Sequence, residues 1–297
     1  MLLYKYAAGG DCAENGLQVN DLKIGYLGPK GTFSHEALLK YAKDMDYRAV
    51  DYSSIAELLL AVQAGELDEA IAPIENSIEG AVNATLDLMA SEVDLRIKSE
   101  LVIPVQENLL VRKGARLDKI SSVLSHPQPL GQCRSFLIDR FPGVRIVSTY
   151  STAGAAEEVS KGDGRSAAIG SSAAAEAYGL DIAFRDIQDS DKNFTRFVAV
   201  ALQDGVKTGR DKTSIVFSTE DKPGSLYRVL DILNLWDINM SRIESRPAKN
   251  QLGRYIFFVD IIGHRDDDDL KDAITMIRKK TSFFKLLGSY PAWEMDD

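Results

Sequence analysis

Two rhythms of apolar and polar positions divide the chain. Over roughly the first two hundred residues, apolar runs of strand length alternate with stretches whose apolar positions recur at helical spacing. Residues 23–27, 49–52 and 69–74 read as strands, and helices follow them at about 35–43, 55–64 and 81–89. Between 101 and 111 the alternation gives way to extended apolar segments, where the pattern places a hinge. It then resumes with strands at 122–124, 144–147 and 167–170 and with helices opening near Ser125, Ser151 and Ser171. After Leu180 the chain is polar and extended until Asn193-Phe194-Thr195-Arg196-Phe197, which leads into a last apolar strand at 198–202. Strands alternating with helices predict an α/β region with mostly parallel sheets and ligands at the carboxyl ends of the strands. Two passages between lobes imply a cleft with a hinge.

The second rhythm begins after a polar stretch at 203–209. Strands at 213–218, 238–244, 255–262 and 284–290 and helices from Pro223-Gly224-Ser225 and from Asp267 give the order βαββαβ, that of an α+β ferredoxin-like sandwich. The expected organisation is a tail (1–21), lobe 1 (about 22–103 and 190–203), lobe 2 (about 104–189), a linker (204–211), the C-terminal domain (212–290) and a short tail (291–297).

Composition narrows the function classes. A chain of 297 residues with 45% hydrophobic and 27% charged residues has the balance of a globular protein of two or three domains. Its net charge of −9 argues against a nucleic-acid surface, while a local basic pocket for a small anion remains open. Cys12 and Cys133 are too few for a disulfide framework and point to a reducing cytoplasm. The N-terminal apolar block is too short for a signal peptide, and no run of about 18 apolar residues suggests a membrane span. His35, His126 and His264 are scattered, which makes a metal site improbable.

Candidate chemistry concentrates at the strand-to-helix turns. Gly28 and Thr32, Asn76 and Ser77, His126 and Gln128, and Thr152 place polar groups and backbone N–H donors where an anion can be held. His126 reads either as an acid or base or as a helix cap. Cys133 reads as a small buried hydrophobe, and the acidic run 266–269 as a helix N-terminus that complements the dipole. Thr195 and Arg196, packed between two aromatic residues, form the one further polar cluster at a strand entrance.

Residues 23–202 resemble the prephenate dehydratase family through GPKGTFSHEA from Gly28, PIENSIEG from Pro73, SHPQPLGQC from Ser125, STAGAA from Ser151 and NFTRF from Asn193. Residues 212–290 resemble the family's ACT regulatory domain through DKPGSL from Asp221 and ESRP from Glu244. The two hinged lobes are also similar to those of periplasmic solute-binding proteins.

The resemblance implies conversion of prephenate to phenylpyruvate, water and carbon dioxide in phenylalanine biosynthesis, without metal or redox cofactor. It assigns catalysis to Thr195, as donor to the departing hydroxyl, and substrate binding to Gly28, Thr32, Asn76, Ser77, His126, Gln128, Thr152, Asn193, Arg196 and Phe197. Arg196 is expected to be the cation for a substrate carboxylate. L-Phenylalanine would bind the ACT domain as an inhibitor through Gly224, Ser225, Leu226, Asn239, Met240, Glu244, Ser245, Arg246 and Pro247. Ser225 stands where the family usually has alanine. A homodimer or homotetramer in the cytoplasm is implied, with no nucleic-acid or membrane partner. Arogenate dehydratase, with the same chemistry on the amino analogue, stays open, as does a non-catalytic amino-acid sensor.

Overall fold

The structure, a computed structural model, describes residues 22–248 and 255–293; the expected N-terminal tail lies outside the described residues. Lobe 1 runs through β1 (Leu22–Leu27), α1 (Phe33–Tyr41), β2 (Tyr47–Tyr52), α2 (Ile55–Gln63), β3 (Glu69–Asn76), β4 (Gly80–Ala81), α3 (Asn83–Ser91) and β5 (Arg96–Pro104). Lobe 2 comprises β6 (Asn108–Arg112), β7 (Ser122–Ser125), α4 (Pro127–Gln132), α5 (Arg134–Arg140), β8 (Arg145–Ser148), α6 (Thr152–Lys161), β9 (Ser166–Gly170), α7 (Ser172–Tyr178) and β10 (Leu180–Phe184). The chain then returns to lobe 1 as β11 (Phe194–Ala201). Hydroxyl side chains start the helices as their sequence positions suggest. Thr32, Ser54, Ser151 and Ser171 each accept the backbone N–H three residues on, satisfying a donor that the first helical turn leaves unpaired.

The lobe sheets are mixed rather than mostly parallel. The βα units pair in parallel, β1 with β2 and β3, and β7 with β8 and β9. The strands at the lobe crossings enter from the other direction, so β11 lies antiparallel between β3 and β5, and β6 lies antiparallel between β9 and β10. Strand β10 occupies part of the segment that the sequence reads as an irregular extension; it forms the sheet edge, with Leu180 buried, Asp181 exposed and Ile182, Ala183 and Phe184 half-buried. The Asn193-to-Phe197 motif likewise lies mostly inside a strand rather than before it.

Alternation along β3 and β11 sorts residues onto two faces. Ile71, Phe197 and Ala199 enter one core beneath α1, while Ala70, Ala72, Ile74, Val198 and Val200 enter another beneath α2 and α3. The second core continues into the C-terminal domain. That domain contains β12 (Asp211–Ser218), α8 (Ser225–Leu235), β13 (Met240–Pro247), β14 (Tyr255–Ile262), α9 (Asp268–Lys280) and β15 (Phe283–Pro291). Its antiparallel sheet has the order β13-β14-β12-β15. Ile215, Phe217, Val259 and Ile261 face the two helices, whereas Val216, Phe258, Leu287 and Tyr290 join the core of lobe 1. Burying an aliphatic or aromatic side chain is worth about 1.5–3 kcal/mol, so this shared face is a permanent junction rather than a loose tether. At the closest approach Gly288, at φ +145°, lies against the backbone of Ile97 in β5.

Candidate active site

A cavity of about 330 Å³ opens between the lobes at the carboxyl end of β3. The two chain crossings form its inner wall, with Val105 and Glu107 on the outgoing one and Asn193 and Thr195 on the returning one. Lobe 2 contributes the start of α4 through His126 and Gln128, its last residue Gln132, and the start of α6 through Ser151 and Thr152.

Asn76 organises the floor. Its Oδ1 accepts the backbone N–H groups of Ile78 (2.9 Å) and Glu79 (3.0 Å) in the tight turn after β3, as asparagine does in turns of this kind. That fixes which end of the amide is which, so Nδ2 points to β11. It donates to Asn193 Oδ1 and to Thr195 Oγ1, both at 2.9 Å. Asn193 Nδ2 in turn donates to Gln132 Oε1 at 3.2 Å. The directions of these bonds have a chemical result. Thr195 Oγ1 is occupied as an acceptor, and its own proton is left to be donated to something in the cavity. Gln132, with its carbonyl oxygen engaged, keeps its amide N–H groups for the same use.

The backbone holds this arrangement in place. Val105 donates to the carbonyl of Asn193 at 2.8 Å, tying the two crossings together. Ser77 bridges the start of β11, accepting from the Phe194 N–H and donating to the carbonyl of Lys192, each at 2.9 Å.

Of the residues expected to bind substrate, Asn76, His126, Gln128, Thr152 and Asn193 come together with Thr195 on the cavity. Others sit elsewhere, for reasons visible in the packing. Ser77 is exposed and serves β11. Thr32 is spent as the cap of α1, its hydroxyl donating to the Leu27 carbonyl at 2.9 Å. Gly28 packs on Asp51, in the β1–α1 loop of lobe 1 that touches lobe 2. There Ser171 of lobe 2 donates to the Gly31 carbonyl at 2.8 Å, and Gly31, at φ +90°, leaves room for Ala174. Phe197 is 1% exposed, in the core one pleat below Thr195.

Arg196 requires the largest correction. Alternation along β11 turns it away from the cavity, and its side chain is only 11% exposed. Nε donates to Glu100 Oε2 at 2.7 Å, Nη1 to Asp260 Oδ2 at 2.6 Å and Nη2 to the Tyr290 hydroxyl at 2.9 Å. Asp260 and Tyr290 belong to the C-terminal sheet, and Ser214 bonds both at 2.6 Å. Burial pulls the guanidinium pKa down, but Tyr290, Asp260 and Glu100 around it win and raise it. Asp260 is deeply buried, yet the charge and hydrogen bonds of Arg196 and Ser214 hold its carboxyl below the usual range.

Among the described residues that line the cavity there is consequently no lysine or arginine. An anion there meets helix starts, amides and hydroxyls instead. The sequence reading also missed Glu107, 1% exposed on the outgoing crossing, although an acid between two apolar extended runs was a signal available to it. No group of three or more His, Cys, Asp or Glu that could hold a metal occurs among the described residues. No helix among them is long and apolar enough to cross a membrane.

The C-terminal domain has a cavity of about 340 Å³ at the start of α8, lined by Gly224, Ser225 and Leu226 together with Tyr255 and Phe257. Gly224 adopts φ +79° and leaves the first N–H groups of α8 without a side-chain cap. Asn239, Met240, Glu244, Ser245, Arg246 and Pro247 do not line this cavity. Met240 packs in the domain core, and Arg246 reaches lobe 1, where Nε donates to Asp87 Oδ1 at 2.8 Å and Nη1 to Asn83.

The chain matches the family model for prephenate dehydratase over residues 24–204 and that for the ACT domain over 213–275. It is 41% identical over 270 residues to a bifunctional chorismate mutase/prephenate dehydratase of Aquifex aeolicus, covering 91% of this chain and 74% of the relative. The crystal structure of prephenate dehydratase from Arthrobacter aurescens in complex with L-Phe superposes with a TM-score of 0.83 at 36% identity, over 91% of this chain and 90% of that one. A structure described as a quorum-quenching acylase gives the same TM-score at 28% identity, over 91% of this chain and 98% of that one. With the family model spanning more than half of the chain and a 41%-identical relative covered over 74% of its length, this protein belongs to the prephenate dehydratase family and carries a C-terminal ACT domain.

Proposed function

We propose that the cavity binds prephenate and that Thr195 donates a hydrogen bond to the hydroxyl that leaves as the ring carboxylate departs as carbon dioxide. The observation that carries this reading is the orientation of the Asn76 amide: its Oδ1 accepts the Ile78 N–H, so its Nδ2 donates to Thr195 Oγ1 and leaves that hydroxyl's proton for the leaving group. A threonine hydroxyl is a weak acid, so its part is hydrogen bonding to the developing charge. A positioned donor of this kind contributes about 10²- to 10⁴-fold in rate. The rest comes from holding the diene between the lobes in a reactive geometry. The substrate's two carboxylates would be received by the helix starts at Gln128 and Thr152 and by Gln132.

L-Phenylalanine is the effector we assign to the cavity at Gly224, Ser225 and Leu226, where its carboxylate would meet the first turn of α8, which has no side-chain cap. The Arthrobacter relative, solved with L-Phe, supports that choice. We read Asn239, Glu244, Ser245 and Pro247 as completing the site from a second copy in a homodimer or dimer of dimers. A reducing cytoplasm fits the free, buried thiol of Cys133.

The test is phenylpyruvate formation from prephenate, run beside arogenate and with increasing phenylalanine. Conversion of prephenate that phenylalanine suppresses supports both halves of the reading. Turnover of arogenate alone replaces the substrate, and turnover of neither with phenylalanine still bound supports an amino-acid sensor.

A further inference from the structure

Glu107 is an acid with an unusual position. It lies on the outgoing crossing between the lobes, 1% exposed, in the wall of the same cavity as Thr195. Its backbone is fixed on both sides, the N–H donating to Gln188 Oε1 at 2.9 Å and the carbonyl accepting from Ile187 at 2.8 Å. Its side chain is not so provided for, since Oε2 is buried with no hydrogen-bond partner. Buried polar atoms in native proteins are nearly always paired, and an exception in a cleft invites a functional explanation.

Its charge state follows from its neighbours. Glu36 on α1 repels it, and Glu107 in turn acts, beside Asp189 of the returning crossing, on the buried thiol of Cys133 at the end of α4. Glu79 and His126 also line the cavity, without lysine or arginine. Burial, with Glu36 adding to it, lifts the Glu107 pKa to about 8. A dianionic substrate in the cavity would favour the neutral form still further.

We propose that Glu107 enters the reaction as the neutral acid of the site and supplies the proton with which the departing hydroxyl leaves as water. The proposal rests on the prephenate reading above. In that step the ring C–O bond breaks and the electrons of the bond to the ring carboxylate move into the ring, which becomes aromatic. Carbon dioxide departs, and the proton passes from Glu107 to the leaving oxygen, with the Thr195 hydroxyl steering it. Prephenate dianion and a carboxylic acid thus become phenylpyruvate monoanion, carbon dioxide, water and a carboxylate. Repulsion by the remaining acids and burial then return Glu107 to the protonated form from solvent. Thr195 alone can stabilise the leaving group but cannot deliver a proton at neutral pH without replacing it from a stronger acid.

The test is Glu107→Gln, which keeps the shape and a hydrogen-bond donor but has no proton to give. With prephenate, kcat is expected to fall at least about 10²-fold with KM little changed. In the wild type, kcat/KM should fall tenfold per pH unit above about 8, and this alkaline limb should be absent from the variant. Because the wild-type profile is read without any substitution, it decides the matter even if the variant folds poorly. A wild-type profile flat well above pH 8, or a Glu107→Gln enzyme turning over within a few-fold of wild type, overturns the proposal. A wild-type enzyme that forms no phenylpyruvate overturns the activity beneath it, and that control distinguishes the two failures.

Discussion

Thr195 and Arg196 are consecutive residues of β11 that serve different domains. Thr195 Oγ1 accepts from Asn76 at the cavity floor, and Arg196 Nη1 donates to Asp260 of the ACT sheet. The pairing of β11 with β3 shifts register at Arg196/Phe197, directly beside them. Such bulges re-aim side chains next to active sites. A displacement of the ACT sheet that pulls on Arg196 therefore acts on the strand that carries Thr195, with no intervening element. Allosteric coupling is typically worth 1–3 kcal/mol, less than the strength of this buried network, so the network can move as a unit rather than break.

Arg196→Met should lower the stability of the whole chain by about 3–5 kcal/mol, because Glu100 and Asp260 lose their common cation while staying buried. Urea unfolding reads this directly, and a change below about 1 kcal/mol would show that the network is not what holds the domains together.

Asp260→Asn is the milder cut. It leaves Arg196 its bond to Glu100 and lies outside the cavity, so turnover without phenylalanine should be retained. Inhibition by phenylalanine should weaken by about fivefold or more in a titration of activity. Unchanged inhibition would mean that the signal travels by another route.

Asn76→Asp preserves the size of the side chain and exchanges the amide donor for an acceptor. Thr195 would then give its proton to the introduced carboxylate instead of the leaving group. We expect kcat to fall about 10²- to 10³-fold, with a smaller change in KM. A loss confined to KM would make Asn76 a binding group only.

The pH dependence of stability provides a check on Glu107 that does not involve substrate. Its folded pKa is raised from an ordinary 4.5 to about 8, so between those values the folded state holds a proton that the unfolded chain has released. Stability from this group is therefore greatest at the acid end of the window and declines as pH rises through it. Denaturation midpoints of Glu107→Gln should lack that decline. Equal slopes for the two proteins would show that Glu107 ionises normally.

Much of the site was legible in the sequence because it is made of local signals. Hydroxyl and amide residues at the ends of apolar runs mark strand-to-helix turns at Asn76, Gln128 and Thr152 and a strand entrance at Asn193 and Thr195, and these five residues line one cavity. The ACT-domain partners of Arg196, Asp260 and Tyr290, were not legible, since they lie 64 and 94 residues away, in a domain whose docking the alternation of polar and apolar positions does not encode. A cation beside a candidate catalytic threonine reads as a substrate ligand until the period of two along the strand is followed to its other face. The ACT domain's βαββαβ order was plain, but its second buried face was not. Val216 and Phe258 look the same in sequence whether they meet solvent, a second copy or lobe 1.

That docked face can be tested at its tightest point. A Cβ on Gly288 would lie 2.8 Å from the backbone nitrogen of Ile97, at a φ that other residues rarely adopt. Gly288→Ala should cost about 1–3 kcal/mol and lower the thermal midpoint. An unchanged midpoint would contradict the close packing of β15 on β5.

The most direct measurement of the central claim is the turnover of Thr195→Ala and Thr195→Ser with prephenate beside the wild type. The account predicts that the alanine variant loses at least about 10²-fold in kcat with substrate binding largely intact, and that the serine variant, which keeps the hydroxyl, recovers most of it. An alanine variant that forms phenylpyruvate at the wild-type rate would contradict it.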